Sequence, residues 1–207
     1  VTEKSDIRIE IDELNQAVGY QALYQSDVCN DSIAIGYLAL SGTDAGTNNK
    51  NIAIGNYALD ANMTHNTNNV AIGHDSLTNL AGSGGIYNTF VGDSSGISLT
   101  NADYNTGVGS GVFGEASGNA MTGVGNTGVG SLAGYNLEGV AHSNTLIGYG
   151  AGNASNAITT GISNVCIGDG ASTSSATADN QISIGTGAVG QADNSVTLGN
   201  DDVDDVY

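Results

Sequence analysis

Eleven times along the chain, a polar residue leads into a short alternating run that ends on an aliphatic residue and a glycine. The glycines are Gly19, Gly36, Gly55, Gly73, Gly92, Gly109, Gly130, Gly148, Gly168, Gly185 and Gly199. Their spacings run from 14 to 21 residues and average 18. A repeat this short buries no core of its own, so each unit must stack on its neighbours.

Each column of the repeat has its own chemistry. The residue before Gly is apolar throughout: Val18, Ile35, Ile54, Ile72, Val91, Val108, Val129, Ile147, Ile167, Ile184 and Leu198. Two residues earlier stand Gln16, Ile33, Ile52, Val70, Thr89, Thr106, Thr127, Thr145, Val165, Ile182 and Val196, β-branched in all but the first. Period two with β-branched residues predicts a short strand with one face buried, and we expect the residue before each Gly to point inward. Four before Gly the residue is usually Asn: Asn15, Asn51, Asn69, Asn88, Asn105, Asn126, Asn144 and Asn164. A column of stacked amides predicts a hydrogen-bonded ladder along the axis. Three after Gly the side chain is small from Ala22 to Ala188, with Val112 the exception, which predicts a tightly packed corner.

The simplest fold for these columns is all-β, a parallel β-solenoid or β-roll of about ten coils, with Gly supplying a positive φ at the corner. Ten intervals at about 4.8 Å give a rod of about 50 Å. A hexapeptide left-handed helix needs an aliphatic residue every sixth position, and Asp60 and Asn66 break that register after Ile54. The calcium-binding nonapeptide roll fails too, because Gly and Asp do not recur every nine residues. The array is expected over residues 15–200, preceded by a strand or cap in 1–14 and followed by an acidic tail in 201–207. In the first segment Ile7, Ile9 and Ile11 alternate with Arg8, Glu10 and Asp12.

Composition narrows the function. The net charge is −18, and the only fixed cations are Lys4, Arg8 and Lys50. Phosphate backbones and anionic membranes are therefore excluded as expected partners. There are 32 glycines, no proline and no tryptophan, and aromatics make up 5% of the chain. So thin a core implies a second buried surface, and self-association into a homotrimer or a longer fibre is the expectation. The chain opens on Val1 rather than Met, as expected of a processed or excised segment.

No catalytic, cofactor or metal site is expected. Cys29 and Cys166 fit no ligand spacing, and neither do His65, His74 and His142. Asp201, Asp202, Asp204 and Asp205 lack the ordered spacing of a cation loop and read as a solvated tail. Asp75 and Asp93 lie one coil apart, the pair a glycosidase would need, but an exposed acidic stripe is the plainer reading. Recognition is better sought in the variable loops 61–68, 93–104, 115–122, 135–143 and 153–162. Tyr87, Tyr104, Tyr135 and Tyr149 are the candidate anchors there, suited to a host-surface glycan or protein.

The runs Asn15–Leu23 (NQAVGYQAL), Ser32–Leu40 (SIAIGYLAL), Asn51–Leu59 (NIAIGNYAL) and Asn69–Leu77 (NVAIGHDSL) resemble the head repeats of trimeric autotransporter adhesins. They are still more similar to the NTAIGYxAL-type arrays of phage tail fibres and related surface proteins, and the resemblance spans most of the chain. The segment Asn194–Tyr207 looks like the stretch that precedes a self-cleaving endosialidase-type chaperone in such fibres. Adhesin head repeats are shorter, so the extra residues here are expected in loops. The resemblance implies a trimeric, non-catalytic β-roll displayed outside a cell or on a virion. The expected role is a segment of a tail fibre or cell-surface appendage serving attachment. A purely structural extracellular filament subunit and a polysaccharide-degrading tailspike are the alternatives.

Overall fold

The computed structural model describes residues 7–10, 14–24, 29–42, 48–61, 63–114, 120–154 and 156–203. Lys4, Ile11, Asp12, residues 115–119 of one variable loop, and Asp204 and Asp205 of the tail lie outside the described residues. Among the described residues every regular element is a strand. One strand falls in each repeat: β2 (Asn15–Val18), β3 (Ile33–Ile35), β4 (Ile52–Ile54), β6 (Val70–Ile72), β8 (Thr89–Val91), β9 (Thr106–Val108), β10 (Thr127–Val129), β11 (Thr145–Ile147), β12 (Val165–Ile167), β13 (Ile182–Ile184) and β14 (Val196–Leu198). These eleven pair in parallel in chain order, so the chain winds as a β-solenoid.

The register never slips. Ile33 stands on Ile52, Ile52 on Val70 and Val70 on Thr89, and the same rows continue to Val196. At the start, β1 (Ile7–Glu10) lies antiparallel to β2 and forms the first strand of the twelve-stranded sheet. A second, discontinuous parallel ladder runs through the loops. It comprises β5 (Met63–Thr64) with β7 (Gly82–Ser83), then single bridges such as Leu99 to Met121 and His142 to Ile162.

Two of the expected columns are as the repeat implied. The Asn side chains are buried, and the Oδ1 of each accepts the backbone N–H of the next: Asn51 to Asn69, Asn69 to Asn88, and on through Asn164 to Gln181, all at 2.9–3.0 Å. Their Nδ2 groups donate to loop carbonyls such as Gly85 and Ala102, both at 2.7 Å. The repeat glycines have φ from 82° to 145°. Space forbids a side chain there as well, because a Cβ on Gly73 would lie 2.2 Å from the carbonyl oxygen of Gly92.

The inward-facing column is not the one expected. The residue before Gly faces out: Ile35 is 40% exposed and Ile147 37%, while Ile54, Ile72 and Ile167 are only half-buried. What points inward is the residue two before Gly, buried in ten of the eleven strands: Ala17, Ala34, Ala53, Ala71, Phe90, Gly107, Gly128, Leu146, Cys166 and Ser183. A three-residue strand places two side chains on one face and one on the other. The solenoid is thin enough that its interior takes the single one.

The interior is filled by an exchange of volume between two columns. In coils one to four a small strand residue meets a large residue four after Gly: Ala17 with Leu23, Ala34 with Leu40, Ala53 with Leu59 and Ala71 with Leu77, all buried. In coil five the sizes swap to Phe90 and Gly96, and in coil six they swap back to Gly107 and Phe113. A Cβ on Gly107 would sit 2.3 Å from the Phe90 ring, and one on Gly96 at 2.8 Å. Phe90 and Phe113 pack edge to face at 5.7 Å. Each large ring thus occupies the volume its glycine neighbours leave open, as close packing requires.

Candidate functional site

The outward rows make the most distinctive surface of the molecule. From Gln16 and Val18 to Val196 and Leu198, twenty-two side chains in two parallel rows share one face of the sheet, and none is charged. Seven of the eleven residues before Gly are exposed, among them Val18, Val108, Val129, Ile184 and Leu198. At about 50 Å by 10 Å this face covers about 500 Å². That is near the largest apolar patch a soluble monomer ordinarily leaves open.

Both rims of the face are built by left-handed backbone. The residue five before Gly has φ of 52–69° in all eleven repeats, although only Gly125 among them is glycine. Leu14, Asp31, Lys50, Tyr87 and Tyr104 are exposed along this rim. Tyr87 and Tyr104 stack at 5.2 Å with nearly parallel rings. On the opposite rim Tyr20 and Tyr37 stack at 5.3 Å, Tyr37 meets Tyr57 at 5.3 Å, and Tyr57 meets His74 at 5.9 Å. This second ladder was not foreseen, because Tyr57 stands two after its Gly while the others stand one after.

The remaining candidates divide plainly. Tyr149 is exposed, whereas Tyr135 is half-buried, its ring filling the space above Gly111 and Gly114. Asp75 and Asp93 do come together, on either side of His74, whose Nδ1 lies 3.0 Å from Asp75 and 3.7 Å from Asp93. All three are on the surface rather than in a cleft. His65 and His142 stand apart from them, and among the described residues no three His, Cys, Asp or Glu side chains are placed to hold a metal ion together. Cys29 and Cys166 are both buried, far apart along the array. Burial pushes the Cys166 thiol up to about 12, so at neutral pH it is a small apolar core residue. Asp201 and Asp202 are exposed at the end of the rod.

No helix among the described residues is long and apolar enough to cross a membrane. No family model, curated protein or solved structure matches the chain.

Proposed function

We propose that the chain is a rigid, non-catalytic segment of an extracellular attachment fibre, in which copies associate side by side through the outward β-branched face. The observation that carries this reading is that face itself. It is uncharged in a chain of net charge −18, it runs the length of the solenoid, and seven of its eleven residues before Gly are left exposed by the described residues. Across the two outward rows themselves, pairing copies brings no carboxylates together. With the tyrosine rims included, the area approaches the about 800 Å² per partner of a standard interface. Three copies around one axis is the arrangement that the resemblance to fibre and adhesin repeats implies.

In this reading, attachment falls to what remains outside the bundle: the variable loops 61–68, 93–104, 135–143 and 153–162 on a stiff scaffold. The test presents the assembled protein to an array of host-surface glycans and proteins. Selective binding that disappears when one of these loops is exchanged supports attachment. Unbroken filaments that bind nothing return the role to structural support alone. Cleavage of any polysaccharide in the panel, abolished by Asp75→Asn or Asp93→Asn, overturns the non-catalytic assignment.

A further inference from the structure

The left-handed rim carries an aromatic ladder that breaks off in mid-array. Each rim residue, five before Gly, donates its N–H to the preceding repeat: Tyr104 to the Ile86 carbonyl at 3.0 Å, Gly125 to Asp103 at 3.1 Å and Ser143 to Val124 at 3.0 Å. Tyr87, Tyr104, Gly125, Ser143 and Ser163 therefore stand in one row, at about 4.8 Å per step. Tyr87 lies against one face of the Tyr104 ring, nearly parallel to it at 5.2 Å. The other face looks along the rod axis toward Gly125, where the ladder stops. A Cβ on Gly125 would meet nothing within 4 Å, and among the described residues no second ring covers Tyr104. Tyr104 is 58% exposed despite its stacked neighbour. The result is a step, with one aromatic wall above a shelf of Gly125, Ser143 and Ser163. On that shelf His142 Nδ1 lies 3.3 Å from the Ser143 hydroxyl. Tyr104 and Ser143 are two steps apart, about 10 Å. Carbon atoms stack at about 4 Å, so one ring and no second fits flat on Tyr104 before Ser143 is reached.

We propose that this step is a sugar subsite that takes one uncharged pyranose ring, stacked by its C–H face on Tyr104. A pyranose is apolar on that face and hydroxylated around its edge. The tyrosine ring matches the first with a flat apolar surface. The Ser143 hydroxyl and the His142 imidazole match the second, because each can donate and accept. A flat aromatic ligand would use the wall but gain nothing from the two polar groups. Charge selects among sugars. The chain has no Lys or Arg after Lys50, and Asp103 adjoins Tyr104. Lys50 itself is three steps away on the same rim, about 14 Å. The carboxylate of a sialic or uronic acid would thus meet repulsion without a counter-charge. The subsite names the ligand class for the attachment reading and rests on it, since Tyr104 ends loop 93–104, one of the loops assigned to attachment. A lateral contact at the edge of the ring leaves the stacking face open, because that face looks along the axis.

Saturation-transfer NMR on the full chain tests this with the methyl glycosides of glucose, galactose and N-acetylglucosamine. At least one should give transfer concentrated on the C–H protons of one ring face, and sialic and glucuronic acid should give none. Gly125→Tyr is the sharpest variant, because it continues the ladder into the space the sugar would occupy. The backbone already accepts tyrosine at this rim position, at φ 57° in Tyr87 and Tyr104 against 69° at Gly125. It should abolish the transfer with unchanged circular dichroism. Tyr104→Ala should abolish it too, whereas Tyr104→Phe, which keeps the flat ring, should retain it. Transfer that survives Gly125→Tyr, a preference for the acidic sugars, or binding of p-cresol but of no sugar would overturn the subsite. Glycan binding lost only on exchange of another loop would overturn the subsite and spare the attachment reading. Binding to no glycan and no protein would overturn both.

Discussion

Asn69 Oδ1 accepts two hydrogen bonds from Asn88, one from the backbone N–H at 2.9 Å and one from Nδ2 at 3.1 Å. Asn88 Oδ1 in turn accepts from the N–H of Asn105 at 3.0 Å, and its Nδ2 donates to the Ala102 carbonyl at 2.7 Å. One side chain therefore serves three coils. Removing it in Asn88→Ala orphans the Asn105 N–H and the Ala102 C=O, both buried. At about 1–3 kcal/mol per orphaned group the loss is about 2–6 kcal/mol. Asn88→Asp keeps the acceptor but loses the donor and buries a charge, so it should be no milder. Guanidinium unfolding midpoints of the two variants test this, and midpoints near wild type would show that the ladder is not structural.

Gly73 tests the corner. With φ of 140° and the Gly92 carbonyl where a Cβ would go, Gly73→Ala must displace the neighbouring coil. A cost of at least about 3 kcal/mol is expected, with Tm falling accordingly. Gly150, also at positive φ but with nothing within 4 Å of its Cβ position, should tolerate Ala at about 1 kcal/mol.

The volume exchange predicts a rescue. Phe90→Ala should cost about 3–5 kcal/mol by leaving a cavity beside Gly96 and Gly107. Adding Gly96→Leu recreates the Ala71 and Leu77 arrangement of the coil before, where Leu77 already sits at φ 53°. The double variant should recover at least half of the loss by denaturant titration. Additive destabilisation would contradict the exchange.

The sequence made some of this legible and hid the rest for physical reasons. Gly73 and Asn88 recur in register because backbone sterics and buried amides admit few substitutes, so those columns could be read directly. The facing of the strands could not. Ala34 and Ala53 look like weak hydrophobes beside Ile35 and Ile54, and only the narrowness of the solenoid interior makes the small residue the buried one. The left-handed rim was also silent, since Asp31, Lys50, Tyr87 and Tyr104 share a backbone conformation but no side-chain chemistry.

Asp60 carries a pH dependence. Burial raises its pKa above 3.8, the Thr78 hydroxyl that donates to it partly offsets this, and nearby Asp75 adds to the rise. The folded state thus holds the proton more tightly than the unfolded chain. That contribution to stability is fully present below about pH 4 and is lost as pH rises through the raised value. Asp60→Asn, which still accepts from Thr78, should be more stable than wild type at pH 7 and should lose that advantage near pH 3. Parallel unfolding curves across that range are the check, and a constant difference between the two proteins would exclude the linkage.

If copies of this chain meet through the outward β-branched rows, molecular mass in solution must report it. Sedimentation equilibrium at micromolar concentration should give the wild-type protein a mass near three times the 20.6 kDa chain. Ile35→Lys/Ile147→Lys should give 20.6 kDa with unchanged circular dichroism. A stable wild-type monomer, or a lysine variant that associates as wild type does, would show that the outward rows are not where copies meet.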